Sequence, residues 1–230
     1  GRAPGVFDLI LFVLPFDCGA IIKMHHIISD AWTMLLLANQ FLQILNGEKP
    51  LAYDQIDNTD KLDEYKATKR YQKDVEFFEE QQRKCPETTW LWPESCKTIE
   101  ARRSTRILTE ELTEKIKDYS AEHGFSPYIL FLTAVAVYMS RKLDREMFYF
   151  GSLAANRYGT REKNTVVMFV KQVPLLLELH HDESFADATA RIKSRAFAGY
   201  KHQRGYTAQA DTTTYLYDMW VSYQTAVLSA

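Results

Sequence analysis

The sequence contains little cysteine, no large excess of either charge and no long hydrophobic run, and each shortage excludes a class of protein. Its three cysteines, Cys18, Cys85 and Cys96, are odd in number and lack the spacing of metal ligands, so we expect a reduced, cytoplasmic setting. A formal net charge of -2 provides no basic surface for nucleic acid. No apolar run reaches the roughly 20 residues that a membrane-spanning helix needs, so we expect no membrane association.

The rest of the composition is that of an ordinary folded domain. The chain has 230 residues, of which 46% are hydrophobic and 25% are charged, and this is enough for one large domain or two small lobes. The chain begins with Gly1 rather than with methionine, and we therefore expect it to be a piece of a longer polypeptide.

The most distinctive stretch runs from Ile21 to Trp32. An apolar segment rich in β-branched residues leads into two adjacent histidines, His25 and His26, and Asp30 follows just before a predicted helix. Neighbouring side chains of an extended chain point to opposite faces, so only one histidine can enter a cleft while the other supports it. If the chain turns after His26, Asp30 can fold back beneath the histidines, where a buried carboxylate needs a cation or several N–H donors.

Hydrophobic periodicity and capping residues predict strands and helices along the whole chain. We expect strands at residues 6–14, 20–24, 103–108, 147–153, 166–179 and 215–223. We expect helices at residues 33–46, 60–84, 109–123, 127–141 and 184–202.

The sequence also predicts helix caps, a central strand and the side chains that face the interior. Asp30 or Ser29 is available to cap helix 33–46, whose N-terminus would favour negative charge beside the histidines. Ser126 is predicted to cap helix 127–141, with Pro127 at its first position. Strand 166–179 is predicted to be a central strand interrupted by proline. The side chains expected to face the interior are Trp32, Tyr65, Val75 and Phe78.

The histidine stretch resembles a known family signature. His25-His26-Ile27-Ile28-Ser29-Asp30-Ala31 is similar to the His-His-x-x-x-Asp-Gly motif of the condensation domains of nonribosomal peptide synthetases, members of the chloramphenicol-acetyltransferase-like superfamily, with Ala31 in place of glycine. Five later stretches resemble other elements of the same family, in the same order. They are Gly124-Phe125-Ser126-Pro127-Tyr128, Gly151-Ser152-Leu153-Ala154-Ala155-Asn156-Arg157, Met168-Phe169-Val170 with Val173-Pro174-Leu175, His202-Gln203, and Ser222-Tyr223-Gln224, where Thr225 replaces the family's asparagine.

The resemblance implies an α/β fold of two chloramphenicol-acetyltransferase-like lobes, each a mixed sheet packed with helices, with the active site between them. A connector that begins at Trp90 places the lobe boundary near residue 98. We therefore expect a partial N-terminal lobe at residues 1–97 and a truncated C-terminal lobe at residues 98–230. Because family domains are considerably longer, the chain is expected to be incomplete at both ends.

The resemblance also implies a reaction, the formation of an amide bond in nonribosomal peptide synthesis, a route to antibiotics and other secondary metabolites. A donor acyl or peptidyl thioester would be attacked by the amine of an acceptor aminoacyl thioester. Both substrates would arrive on the 4'-phosphopantetheine arms of carrier proteins, so we expect no cofactor bound by the domain itself. The expected partners are the donor and acceptor peptidyl carrier proteins and an adjacent adenylation domain.

Within this family, the resemblance points to His26 as the catalytic residue, because an imidazole titrates close enough to neutrality to accept or share a proton. Asp30 is expected to organise the loop and to pair with Arg157 from the second lobe. His25 would support the site by facing inward and bonding to backbone. Ala31 would present its backbone N–H to the reacting centre without needing the conformational freedom of glycine. The other residues expected near substrate are Gly151, Ser222 and Gln224.

Three alternatives remain open. A metal site formed by His25, His26 and Asp30 is disfavoured because adjacent histidines diverge and no further ligand cluster is evident. A non-catalytic interaction or scaffold domain would keep the fold without the reaction. An ester-forming or cyclising relative would keep the fold with a different acceptor.

Overall fold

The structure of this protein is a computed structural model, and it describes residues 7–50, 63–91, 100–206 and 216–224. The described strands are β1 (Phe7–Leu14), β2 (Asp17–Met24), β3 (Met147–Ala154), β4 (Lys171–Glu178) and β5 (Trp220–Val221). The described helices are α1 (Ala31–Leu45), α2 (Lys69–Lys84), α3 (Glu110–His123), α4 (Pro127–Leu143), the short α5 (Thr160–Lys163) and α6 (Phe185–Lys201), with a helical turn at 63–66 and a 3-10 turn at Gln203–Gly205.

The chain divides into two compact units. The first unit contains residues 7–50, 63–64 and 155–171 of the described chain. The second unit contains residues 65–91, 100–154, 172–206 and 216–224. The expected lobe boundary near residue 98 lies outside the described residues, so the division into lobes 1–97 and 98–230 stays a prediction.

The first unit is built on an antiparallel hairpin that leads into a helix. β1 and β2 pair from Phe7 opposite Met24 to Leu14 opposite Asp17, which leaves a two-residue turn between them. This confirms both predicted strands, although β2 begins three residues earlier than expected. Asp30 caps α1, as predicted, and the helix ends just before Gly47, whose φ of +73° suits a residue without a side chain.

The second unit is a sheet covered by two buried helices. The strand order is β4-β3-β5, and β3 and β5 run parallel. α4 and α6 pack with the sheet in one hydrophobic core whose fully buried members include Leu132, Phe148, Leu177 and Ile192. The Ser126 hydroxyl caps α4 by accepting a hydrogen bond from the Ile129 N–H at 3.3 Å. Local sequence signals therefore placed this helix correctly.

Three of the strand predictions are wrong: one predicted strand is not formed, and two are shorter than predicted. Residues 103–108 form neither strand nor helix and are exposed, because no face of this segment is buried against a partner in the described chain. The predicted strand 166–179 begins only at Lys171. It is also an edge strand of the described sheet, and this explains why it accommodates Pro174 without interruption. The last strand is limited to Trp220–Val221 within the described residues.

Phe78 of helix α2 packs against the core, as predicted, but the inward face of this helix also contains polar residues. It begins at Lys69, where the Thr68 hydroxyl accepts a hydrogen bond from the Tyr71 N–H at 3.1 Å. Its most buried residues are Asp74 and Gln81, two polar residues that an apolar stripe does not predict. No helix in the described part of the chain is long and apolar enough to cross a membrane.

The core of the second unit can be tested at Leu132. Leu132→Ala removes a side chain that is 0% exposed and leaves a cavity, so we expect the free energy of unfolding to fall by about 2–5 kcal/mol. Leu112→Ala, at a leucine that is 45% exposed on α3, is the control and should change it far less. Urea denaturation followed by circular dichroism measures both, and equal losses would contradict this assignment of the core.

Candidate active site

The two histidines lie in a turn that connects β2 to α1. The backbone carbonyl of His25 accepts hydrogen bonds from the Ile28 N–H at 3.1 Å and from the Ser29 hydroxyl at 3.3 Å. The backbone carbonyl of His26 accepts a weaker bond from the Ser29 N–H at 3.4 Å. These bonds close the chain into a compact turn between Met24, the last residue of β2, and the N-cap of α1.

Both imidazoles are exposed on this turn. The His25 Nδ1 accepts a hydrogen bond from the Ile27 N–H at 3.1 Å, so the neutral ring carries its proton on Nε2. The expectation that His25 bonds to backbone is confirmed, but the expectation that it faces inward is wrong, because the bond is made at the surface. No described residue forms a hydrogen bond with the His26 ring, which leaves that imidazole accessible to an incoming molecule.

Asp30 lies at the base of the turn and is only 2% exposed. One carboxylate oxygen accepts the Thr33 N–H at 2.8 Å, as an N-cap does. The other accepts the N–H groups of Phe169 at 2.9 Å and Val170 at 3.2 Å. Arg157 Nη2 donates to both oxygens at 3.1 Å. The carboxylate thus joins the start of α1 to a distant irregular segment.

The guanidinium of Arg157 is nearly as buried as its partner. Nη1 donates to the backbone carbonyls of Glu162 at 2.5 Å and Thr165 at 2.7 Å, and Nη2 donates to that of Val167 at 2.8 Å. The ring of Phe169 lies 4.7 Å from the guanidinium carbon. Arg157 therefore organises the segment that follows it as well as neutralising Asp30.

The pKa of Asp30 reflects a competition between burial and hydrogen bonding. Burial alone would raise it, but the backbone N–H groups of Thr33 and Phe169 and the guanidinium of Arg157 stabilise the charged form. Their combined effect exceeds that of burial, and the pKa of Asp30 lies below its ordinary value. The carboxylate is ionised wherever the protein is folded near neutral pH.

Thr33 belongs to the same cluster, although the sequence did not identify it. It is 0% exposed, and its hydroxyl donates to the Val167 carbonyl at 2.8 Å while accepting from the Val167 N–H at 3.1 Å. The only signal in the sequence is its position three residues after the cap. Trp32 is also placed differently from expectation, since it is 38% exposed and donates its indole N–H to the Lys163 carbonyl at 2.8 Å.

The structure brings together only some of the predicted site residues. His25, His26, Asp30 and Arg157 all belong to the first unit, where Asp30 and Arg157 are in direct contact. Ala31 is the first residue of α1 and is exposed. It is not among the non-glycine residues with positive φ in the described chain, so the position does not require glycine.

The remaining predicted site residues belong to the second unit. Gly151 is buried in β3 and donates its N–H to the Met219 carbonyl at 2.9 Å. A Cβ at this position would overlap the ring of Tyr217, so the glycine is explained by packing. Ser222 and Gln224 are exposed and lie outside regular structure, and Thr225 lies outside the described residues.

The described residues contain no group of three or more histidine, cysteine, aspartate or glutamate side chains that could hold a metal ion. The turn itself presents an accessible imidazole above a buried, neutralised ion pair.

Comparison with known proteins gives a family match over most of the chain. The Condensation family model, described as a condensation domain, matches residues 19–208. The chain is also similar to surfactin synthase subunit 1 of Bacillus subtilis (strain 168), with 25% identity over 191 residues. That alignment covers 79% of this chain and 5% of the synthase subunit, so the chain corresponds to a small part of this relative.

Solved structures show the same fold. The first condensation domain of the calcium-dependent antibiotic synthetase, in complex with substrate analogue 3a, has a TM-score of 0.77 and 20% identity, covering 95% of this chain and 51% of that chain. VibH, an NRPS condensation enzyme, has a TM-score of 0.74 and 20% identity, covering 90% of this chain and 50% of that chain. The mixed α/β fold of this chain thus spans about half of these structures.

The ion pair can be tested by a double-mutant cycle. Asp30→Ala and Arg157→Ala should each lower the free energy of unfolding by about 3–5 kcal/mol, since each leaves a buried charge without its partner. The double variant should lose less than the sum of the two. The exposed pair Glu111 and Lys115 on α3 provides the control cycle, in which little coupling is expected. Additive losses in urea denaturation would contradict direct coupling of Asp30 and Arg157.

The lowered pKa of Asp30 predicts a dependence of stability on pH. A group whose pKa is lower in the folded state stabilises the protein above its unfolded value, about 3.9, and this stabilisation is lost as the pH falls through the folded value. The difference in unfolding free energy between the native protein and Asp30→Asn should therefore be largest near neutral pH and should shrink below about pH 4. Asp182→Asn, at an exposed aspartate, controls for loss of one carboxylate and should have little effect throughout. A difference that stays constant down to the acid limit of folding would contradict the assignment.

Proposed function

Since this chain belongs to the condensation-domain family, we propose that it takes part in amide-bond formation between two carrier-bound thioesters in nonribosomal peptide synthesis. The family match supports the resemblance first noted in the His-His motif. The observation that carries the proposal is the accessible His26 ring on a turn held from below by the buried Asp30 and Arg157.

In the proposed reaction, the acceptor amine attacks the thioester carbonyl of the donor. A carbon–nitrogen bond forms, the carbon–sulfur bond breaks, and the proton released by the amine ends on the sulfur of the departing thiol. An α-amine has a reference pKa of about 8, so a fraction is already neutral near pH 7 and a weak base suffices. His26 is proposed to accept or share this proton and to orient the amine.

The start of α1 offers a second contribution. Negative charge develops on the carbonyl oxygen as the amine attacks, and a helix N-terminus stabilises such charge through its unpaired N–H groups. Ala31 and Trp32 are the first residues of α1 and directly follow Asp30. Because Arg157 neutralises the Asp30 carboxylate, the negative charge of Asp30 does not cancel the positive potential at the helix N-terminus. We propose that this end of α1 faces the reacting carbonyl.

We further propose that the substrates arrive on the phosphopantetheine arms of donor and acceptor carrier proteins, delivered within a synthetase that also contains an adenylation domain. The reaction would take place between two lobes of the family fold, of which this chain provides a part. Gly151, Ser222 and Gln224 are proposed to lie on the substrate side of the second unit, in agreement with the motifs that contain them.

The experiment replaces His26 by asparagine in the protein as it occurs and supplies carrier proteins loaded with donor and acceptor aminoacyl groups. Loss of a general base or of its positioning effect should reduce the rate of dipeptide formation by about 10²–10⁴ fold. His181→Asn, at an exposed histidine of the second unit, is the matched control and should keep the native rate.

Two results would contradict the proposed amide-bond formation and favour another function. An unchanged yield with His26→Asn would remove the catalytic role and favour a non-catalytic domain that keeps the fold. Faster reaction with a hydroxyacyl acceptor than with an aminoacyl acceptor would identify an ester-forming enzyme instead.

A further inference from the structure

Three hydroxyl groups from different elements meet inside the second unit. Tyr128 is on α4, Ser152 is on β3 and Tyr200 is on α6. The Tyr128 and Tyr200 hydroxyl oxygens are 2.5 Å apart, the Ser152 and Tyr200 oxygens 2.6 Å, and the Tyr128 and Ser152 oxygens 3.1 Å. The Ser152 hydroxyl also donates to the backbone carbonyl of Val221 at 3.4 Å.

The number of protons limits how these contacts can be arranged. Each hydroxyl has one proton to donate, and the Ser152 proton has two acceptors within reach, the Tyr128 oxygen at 3.1 Å and the Val221 carbonyl at 3.4 Å. When Ser152 donates to the Val221 carbonyl, the two short contacts are satisfied with Tyr200 donating to Ser152 and Tyr128 donating to Tyr200. Burial raises the pKa of Tyr200, so its phenol keeps its proton and remains a donor. The result is a one-way relay that ends on a main-chain carbonyl.

The carbonyl at the end of the relay lies where regular structure stops. β5 consists of Trp220 and Val221 only, so the ladder with β3 holds the chain at Gly151–Trp220 and Ser152–Val221. The next three residues have no regular structure and are exposed. The ring of Tyr223 packs 6.0 Å from the ring of Tyr128, which is the first member of the relay.

Phenylalanine at position 200 and alanine at position 152 would occupy nearly the same space without burying polar groups. Buried hydroxyls need partners, and a network that satisfies them fixes a single geometry where an apolar contact would allow several. The relay satisfies all three groups, and its final bond is made to the backbone of the segment that continues into Ser222 and Gln224.

We propose that Tyr128, Ser152 and Tyr200 are positioning residues that fix residues 222–224 through the Val221 carbonyl and the Tyr223 ring. The inference rests on the proposed function, in which Ser222 and Gln224 lie near substrate. The three residues themselves do not contact the reacting groups. Their effect on the reaction is transmitted through the geometry of this segment.

The test places 3-fluorotyrosine at position 223 and records its ¹⁹F resonance in the native protein and in variants. Tyr200→Phe and Ser152→Ala should each shift this resonance, because each interrupts the relay before the Val221 carbonyl. Tyr138→Phe, at a tyrosine of α4 that is 60% exposed, is the matched control and should leave it unchanged. The double variant of Tyr200 and Ser152 should match Ser152→Ala, because a serial relay is already broken by the first change.

The kinetic measurement uses the same variants with loaded carrier proteins. Loss of one hydrogen bond in the relay should lower kcat/KM by about tenfold, while Tyr138→Phe keeps the native value. Thermal unfolding identifies any variant that is not folded, and Tyr128→Phe then serves as the replacement.

An unchanged ¹⁹F resonance in folded Tyr200→Phe and Ser152→Ala would overturn the inference, as would additive shifts in the double variant. Failure of the proposed function is recognised separately, because it appears as full activity of His26→Asn and does not depend on the fluorine signal.

Discussion

The first unit depends on one buried ion pair, between Asp30 and Arg157. Taking two charges out of water is costly, and their attraction compensates only when further hydrogen bonds satisfy both groups. Here the carboxylate receives backbone N–H groups from Thr33, Phe169 and Val170. The guanidinium donates to three backbone carbonyls through Nη1 and Nη2, and only its buried Nε has no partner among the described residues. The pair therefore connects two main-chain segments, the start of α1 and residues 165–170.

This connection explains how the turn can hold the exposed imidazole of His26, to which the proposal assigns proton transfer. A histidine that handles protons must be reached by its substrate, so its own ring cannot be held by burial. The His26 turn is held instead by its backbone bonds and by Asp30, four residues further along. In the proposed reaction, the buried end of the motif would hold the turn in place and the exposed imidazole would handle the proton.

Local patterns in the sequence predicted contacts between residues that are close together in the chain, and they failed to predict contacts between residues that are far apart in it. The caps of α1 and α4 at Asp30 and Ser126 were predicted because a cap and its helix are neighbours in the chain. The strand expected at 103–108 was wrong, because β-propensity does not reveal the absence of a partner. Residues 166–170 were assigned to a strand because the sequence does not show that the N–H groups of Phe169 and Val170 are taken by a carboxylate some 140 residues away.

The irregular segment of the first unit follows a general physical rule. A backbone without helix or sheet partners still has donors and acceptors to satisfy, and a buried side chain from elsewhere can supply them. Asp30 does this for the amides of Phe169 and Val170. A resemblance in sequence preserves the residues at both ends of such bonds without showing that they meet. In the first unit, two motifs that look separate along the chain, the one that contains Asp30 and the one that contains Phe169 and Val170, are joined by hydrogen bonds.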